Sequence, residues 1–292
     1  MAKMHAGEVD TDESLVRRLL AAQFPQWAHL PVTRFPSPGT VNAVYRLGDD
    51  LCARLPLIES GVGDVEKEQR WLPLLAPLLP VAIPEVLGAG VPGEGYPWPW
   101  TVCRWLPGAN PEAGAEAGPL AADLAAFVAA FRRAGLPGGP RAYRAGPLAR
   151  VERATRHALG ELDGVIDTAA AAAVWDAAVR TPEWQGPPVW VHSDLMPGNL
   201  LVEDGRLTGV IDFGTAGVGD PASDLIAAWN LLPPDDRKIF RAALDPDDDT
   251  WARGRGWALS MALTQLAYYQ HTNPAMAANA RHTIQAVITE CG

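Results

Sequence analysis

Residues 192–201 read HSDLMPGNLL, and the chain continues VEDGRLTGVIDFG to residue 214. Apolar VWV (189–191) precedes this stretch and LLV (200–202) lies within it. The EDGR tetrapeptide at 203–206 carries the Asp-Gly pair of a tight hairpin turn, set between LLV and LTGVID. A hairpin returns its second strand beside its first. Asn199 at the start of one strand and Asp212 at the end of the other are therefore expected at the same end. Asp194, a few residues before Asn199, reaches the same region from the loop. One amide oxygen and one carboxylate suit Mg²⁺, which takes one or two protein ligands and fills its octahedron with water and phosphate oxygens. A separate carboxylate beside them can orient and deprotonate a hydroxyl. Metal, base and positioned nucleotide are the parts that phosphoryl transfer needs. Taken singly, each of these residues is also ordinary turn chemistry.

The rest of the chain bounds this reading. Its 292 residues suit one large domain or two lobes. The composition is globular, with 48% hydrophobic and 20% charged residues, and eleven Trp argue against disorder. No apolar run is long enough to span a membrane, and the acidic N-terminus lacks the apolar core of a secretory signal. The three Cys (52, 103, 291) show no CxxC spacing, so a reducing, cytoplasmic setting fits better than a disulfide framework. None of the six His forms an HExxH or HxxxH pair, which leaves a structural zinc site without support. Net charge is −10 with only 24 Lys plus Arg, against the basic face of a nucleic-acid binder. That acidity suits a cationic small substrate or is simply a solvated surface.

Element signals change along the chain. Residues 12–24 have helical spacing. PVTRF (31–35), VNAVYRL (41–47) and LCARL (51–55) read as strands, the last two joined by a GDD turn. Residues 64–79 look helical, with Pro73 and Pro77 disturbing the later part. VLGAGV (86–91) and WPWTVCRWL (98–106) read as two further strands. After Leu106 helices dominate, at 118–134, 148–163, 169–180, 222–231, 234–244, 249–270 and 274–289, interrupted by the hairpin. The expectation is an α+β protein of two lobes: an N-terminal β-sheet lobe over 1–104 and a mainly helical C-terminal lobe over 105–292.

HSDLMPGN fits the kinase catalytic-loop pattern of His, any residue, Asp, four residues, Asn, and IDFG resembles the kinase metal-binding Asp-Phe-Gly segment. The whole run HSDLMPGNLLVEDGRLTGVIDFGTAGVGDPASDL (192–225) resembles the aminoglycoside phosphotransferase family rather than a protein kinase. GDPASDL is typical of that family, and no Ala-Pro-Glu activation segment follows. The resemblance implies a protein-kinase-like fold and a cytoplasmic, Mg²⁺-dependent enzyme. It would move the γ-phosphate of ATP or GTP to a small-molecule hydroxyl, with an aminoglycoside-like antibiotic as the leading acceptor. It implies Asp194 as catalytic base and Asn199 and Asp212 as metal ligands. His192 would shape the loop, Asp220 would organise its own loop, and Asp224 would sit near a helix start. Kinases of other metabolites such as choline, homoserine and methylthioribose share the scaffold, and a catalytically weak nucleotide-binding relative is the rival from another class.

On the nucleotide side, SPGTVNAVYRL (37–47) resembles the family's phosphate-covering loop, which makes Ser37, Gly39, Thr40 and Asn42 candidates. Arg54 in LCARLP stands where the commoner pattern has Lys, and Glu68 is its expected carboxylate partner ahead of Glu66. Cys103 and Trp105 occupy the hinge position, where backbone groups hold a purine edge; a buried, inert Cys103 is the plainer alternative. Met196 stands where protein kinases carry Lys, so no charge is expected there. The acceptor pocket is open: Glu161, Asp163, Asp167, Asp235, Asp236, Asp245 and Asp247 to Asp249 are candidates for a cationic substrate, or are caps and solvated surface. Trp229, Trp257, Tyr268 and Tyr269 are candidates for its lining, or are core. No nucleic-acid or membrane partner is expected.

Overall fold

Alternating apolar residues in the first hundred positions build one antiparallel sheet. Helix α1 (Glu13–Gln23) precedes strands β1 (Val32–Phe35), β2 (Asn42–Leu47) and β3 (Leu51–Pro56). Helix α2 (Val62–Leu75) follows, then β4 (Val86–Gly90) and β5 (Trp100–Arg104), in the sheet order β1-β2-β3-β5-β4. The computed structural model describes residues 7–36, 41–114 and 118–291. Strand β2 buries alternate residues, as a sheet with one covered face requires, whereas the central β3 is buried along most of its length. Leu47 pairs with Leu51 across the Gly48 turn. Helix α1 repeats Leu15, Val16, Leu19 and Leu20 at helical spacing, and these join Val32, Tyr45, Leu47, Leu55, Trp100 and Val102 in one core. The Asp12 carboxylate caps α1 by accepting from the Leu15 N–H at 2.7 Å, worth about 1 kcal/mol. Pro73 is tolerated inside α2 near its end, and the chain then tightens into a 3₁₀ turn at Ala76–Leu78.

The contacts divide the chain into two units, and the division is not a single cut. The first unit runs to Gly108 and takes back Thr208–Gly214; Ala109–Leu207 and the residues from Thr215 onward form the second. Residues 208–214 join the first unit through Ala82, whose N–H donates to the Thr208 carbonyl at 3.1 Å and whose carbonyl accepts from the Val210 N–H at 3.0 Å.

The second unit contains α3 (Gly118–Arg132), α4 (Glu152–Glu161), α5 (Thr168–Arg180) and β6 (Val189–Val191). The hairpin strand β7 (Leu200–Glu203) follows, and its partner β8 (Arg206–Val210) starts in this unit and runs into the segment that the first unit takes back. They turn at Asp204 and Gly205, whose φ values of 49° and 73° are those of a type I′ turn. Then come β9 (Gly217–Gly219), α6 (Ala227–Asn230), α7 (Pro234–Leu244), α8 (Asp248–Tyr269) and α9 (Pro274–Cys291). Helix α8 packs against α4, α5 and α9 and is buried on most sides, so it lacks an amphipathic stripe. One expectation is corrected: the helix expected at 222–231 winds as a 3₁₀ segment over Pro221–Ile226 before α6, because Asp220 just before it and Asp224 within it are both turned into buried contacts. Strand β9, too short and glycine-rich to signal itself, pairs antiparallel with β6 through Val189↔Gly219 and Val191↔Gly217.

Candidate active site

In the first unit a cation is built at the centre of the sheet. Arg54 lies on β3, paired in register with Val44 and Thr101. Its Nη1 donates to Glu68 Oε2 at 2.7 Å, and its Nη2 lies 3.7 Å from Asp212 Oδ1. Glu68 is only 3% exposed, and its other oxygen accepts from the Phe213 N–H at 3.0 Å. One carboxylate thus holds both the cation and the backbone beside Asp212. Burial works against the Arg54 charge, but Glu68 and Asp212 overcome it and hold the guanidinium above its ordinary value. Burial also pushes the Glu68 carboxyl up, opposed by Arg54. Glu66 is exposed and takes no part in this pairing. Asp212 adopts φ +65°, a strained conformation for a residue with a Cβ, and its side chain is 46% exposed. Two residues on, Gly214 lets α2 approach: a Cβ there would sit 2.8 Å from Asp64 Cγ. The Lys67 ammonium donates to the Gly214 carbonyl.

Other expected residues of this unit are placed as follows. Asn42 opens β2, and its Oδ1 is buried without a hydrogen-bond partner among the described residues. Ser37, Gly39 and Thr40 lie outside the described residues. Cys103 pairs in register with Cys52 inside the sheet, and both are free thiols. Burial pushes the Cys52 thiol up to about 12 and raises Cys103 as well, the signature of inert thiols. The Trp105 ring is engaged by Phe35 at 5.0 Å and by the Arg46 guanidinium at 4.1 Å, and the Trp105 backbone N–H donates to the Asp50 carbonyl.

In the second unit the HSD loop is fixed by buried groups. Asp224 is fully buried and accepts from the His192 N–H at 3.0 Å and the Ser193 N–H at 2.7 Å. Burial pushes its carboxyl up, and those two N–H groups, together with His192 and Arg132, oppose the shift. Thr215 Oγ1 donates to the His192 carbonyl, and Ser193 Oγ to the Thr215 carbonyl, both at 2.9 Å. Ser193 takes φ +61°, so the strain sits one residue before Asp194. Asn199 Nδ2 donates to the Asp194 carbonyl at 2.8 Å and to its Oδ2 at 3.1 Å. Arg144 Nη1 donates to Asp194 Oδ1 at 2.8 Å. Asn110 Nδ2 donates to the carbonyls of Gly198 and Leu200, holding the Pro197–Asn199 turn. Met196 turns its sulfur to the Asn230 amide at 3.1 Å and serves packing. Asp220 caps the following 3₁₀ segment and pairs with buried Arg253 at 2.7 Å, the loop-organising part expected of it.

The structure therefore joins Arg54, Glu68 and Asp212 in one unit, and Asp194 and Asn199 in the other. The expectation for Asp224 falls short. It does not merely precede a helix; its carboxylate carries the backbone of the catalytic loop, because that buried loop has two N–H groups with no strand partner. Arg144 was not anticipated at all. It lies in RAYRAG (141–146), a stretch with no periodicity to mark it. In the second unit the Asn199 amide uses its nitrogen toward Asp194, which leaves its oxygen for another partner, and in the first unit Asp212 offers a half-exposed carboxylate; each is a hard oxygen donor. No cluster of three or more His, Cys, Asp or Glu side chains with metal-binding geometry occurs among the described residues. Among the described residues no helix is long and apolar enough to cross a membrane.

A five-stranded antiparallel sheet with one helix carrying the Arg54 partner, followed by a helical unit carrying the HSD loop and its hairpin, is the protein-kinase-like fold of the antibiotic phosphotransferases. The chain belongs to the Phosphotransferase enzyme family, which it matches over residues 32–257. An aminoglycoside 3'-phosphotransferase of Escherichia coli is 41% identical over 59 residues, 20% of this chain and 22% of that relative. A Salmonella typhimurium aminoglycoside 3'-phosphotransferase is 34% identical over a stretch of the same length. The chain thus spans about a fifth of the length of these curated relatives. Among solved structures, the GDP and kanamycin complex of APH(2")-IIia superposes with a TM-score of 0.73 at 18% identity, over 94% of this chain and 98% of the other. The macrolide 2'-phosphotransferase MphH from Brachybacterium faecium gives 0.60 at 24% identity, over 94% and 97%.

Proposed function

We propose that this chain is a small-molecule O-phosphotransferase that moves the γ-phosphoryl group of ATP or GTP to a hydroxyl of an antibiotic, with an aminoglycoside-like compound as the leading acceptor and resistance as the consequence. The observation that carries the reading is the state of Asp194. It is an aspartate on a loop clamped by buried groups, with Asn199 on one carboxylate oxygen, inside a chain of the phosphotransferase family. In the proposed reaction the acceptor oxygen forms a bond to the γ-phosphorus as the bond to the bridging oxygen breaks. The hydroxyl proton passes to the Asp194 carboxylate, and the nucleoside diphosphate leaves with the electron pair. Asn199 and Asp212 would hold magnesium, which would supply positive charge at the phosphate oxygens. Arg54, fixed by Glu68, adds a second cation for phosphate. The backbone at the 103–105 position and residues Ser37, Gly39, Thr40 and Asn42 are assigned to the nucleotide. Complexes of the structural neighbours with GDP, ADP and ATP support a nucleotide donor. A cytoplasmic setting is part of the same proposal.

A second reading of the acceptor has its own observation. Several carboxylates that would suit a polycation are engaged locally: Asp167 and Asp247 cap helices, Asp235 pairs with Lys238, and Asp248 pairs with Arg241. This favours a less cationic hydroxyl compound, a macrolide or a metabolite alcohol. Purified protein with ATP or GTP, screened against kanamycin, gentamicin, streptomycin, a macrolide, choline, homoserine and methylthioribose, separates the readings by a mass gain of one phosphate. Asp194→Ala should abolish the transfer and keep nucleotide binding. Near-normal turnover in that variant would overturn the base assignment, and nucleotide binding without any transfer would favour a catalytically weak relative.

A further inference from the structure

Resting on the phosphotransferase reading, we propose that Arg144 is the positioning residue of Asp194 and brings to the catalytic loop the positive charge that Met196 does not provide. Arg144 Nη1 reaches Asp194 Oδ1 at 2.8 Å and the Ser193 carbonyl at 3.3 Å, while Asn199 takes Oδ2. The carboxylate is thus gripped at both oxygens. The pair is partly buried, with side chains 25% and 19% exposed, so the charge-assisted bond is only partly screened.

Arg144 is delivered by a strap bonded along β9. Val218 N–H donates to the Pro140 carbonyl at 2.7 Å, Ala142 N–H to Val218 at 3.2 Å, Tyr143 N–H to Thr215 at 3.0 Å and Asp220 N–H to Ala145 at 3.0 Å. The strap lies so close that a Cβ at position 217 would stand 2.4 Å from the Pro140 carbonyl oxygen, and one at 219 would stand 2.4 Å from Ala145 Cβ. The two glycines of the GVG segment are what admit it. The Arg144 guanidinium also lies 5.0 Å from the Tyr143 ring centre.

A purely structural ion pair is the competing explanation, and the loop's other bonds argue against it. Its backbone is already held by Asp224, Thr215, Asn199 and Asn230. What Arg144 adds is a grip on the carboxylate. In transfer, the acceptor oxygen must lie within about 2.6–3.2 Å of an Asp194 oxygen, which brings an anionic phosphoryl group toward an anionic base. A guanidinium on the other oxygen fixes the plane of the carboxylate and offsets that repulsion.

The test uses the full chain with ATP or GTP and the acceptor panel above, comparing wild type, Arg144→Ala and Arg144→Lys, with urea unfolding alongside. Expected is a fall in kcat of about 10- to 100-fold for Arg144→Ala, the scale of a misplaced reacting group, with acceptor KM nearly unchanged. Partial recovery is expected in Arg144→Lys and on adding millimolar guanidinium to Arg144→Ala. Wild-type kcat in Arg144→Ala, or a loss confined to acceptor KM, overturns the positioning role and leaves the phosphotransferase reading standing. A kcat loss that tracks the loss of folding stability, with no recovery by Lys or guanidinium, also overturns it. Absence of transfer by the wild type to every acceptor overturns both.

Discussion

Replacing Glu68 tests the buried ion pair of the first unit through stability. In Glu68→Ala, Arg54 loses its 2.7 Å partner and the Phe213 N–H loses its acceptor. Breaking a buried pair by removing one member costs about 3–5 kcal/mol, because the remaining charge stays buried. An orphaned buried N–H costs about 1–3 kcal/mol more when no water reaches it. Two features pull the sum back: Asp212 remains 3.7 Å from Arg54, and the guanidinium is 15% exposed. The expected loss is about 3–5 kcal/mol in all. The double variant Arg54→Met with Glu68→Leu removes both charges and fills the space with apolar atoms, so only the Phe213 N–H remains orphaned. It should cost about 1–3 kcal/mol, less than Glu68→Ala by itself. Urea unfolding followed by tryptophan fluorescence measures Glu68→Ala and the complete cycle of wild type, Arg54→Met, Glu68→Leu and the double variant. Additivity of the two single losses within about 0.5 kcal/mol would show that the two residues do not interact, and the reasoning would fail.

The remaining predictions concern the second unit. Asp224→Asn keeps one acceptor for the HSD backbone and sets an amide N–H against the other donor. It should cost about 2–3 kcal/mol and depress transfer more than nucleotide binding, read by unfolding and single-turnover assays. Gly219→Ala drives a methyl group into Ala145 and should cost about 1–3 kcal/mol, with the thermal midpoint as the measure. Burial, aided by Arg237, holds the His282 imidazolium below its ordinary value of about 6.5. The unfolded chain therefore binds the proton more readily, so this contribution to stability is complete above that value and lost as pH falls below it. Unfolding at pH 7 and pH 5 should give a smaller acid loss in His282→Gln than in wild type, and equal losses would remove His282 from the account.

Local chemistry made much of the fold readable. Hairpin turns announce themselves through Asp-Gly and Gly-Asp pairs because positive φ is needed there, and helices through apolar spacing. What escaped is what tertiary contact decides. Residues 208–214 begin inside the hairpin's second strand, yet Ala82 draws them into the first unit by two backbone bonds, and no pattern within TGVIDFG encodes a partner so far away. Residues 221–226 carry helical spacing, but Asp220 is committed to Arg253 and Asp224 to the HSD backbone, and the segment tightens to satisfy them. Strand β9 has two glycines in three residues and no propensity to declare itself.

The candidate site divides along the same line. The meeting of Asp194 and Asn199 was legible because their spacing is fixed by covalent neighbours in one short loop. Glu68 could be favoured over Glu66 but was separated from it only by burial, since helical spacing puts just one of the two against β3. Arg144 was illegible for a further reason. It reaches Asp194 from a strap that has neither period nor motif, and its approach depends on Gly217 and Gly219, residues that read as a simple turn. The uncharged Met196 is the one sign left in the motif itself. Under the proposed reaction, a loop that brings an anionic base to an anionic phosphoryl group and carries no cation of its own requires one from elsewhere in the fold, and the guanidinium 2.8 Å from Asp194 is the group proposed to supply it.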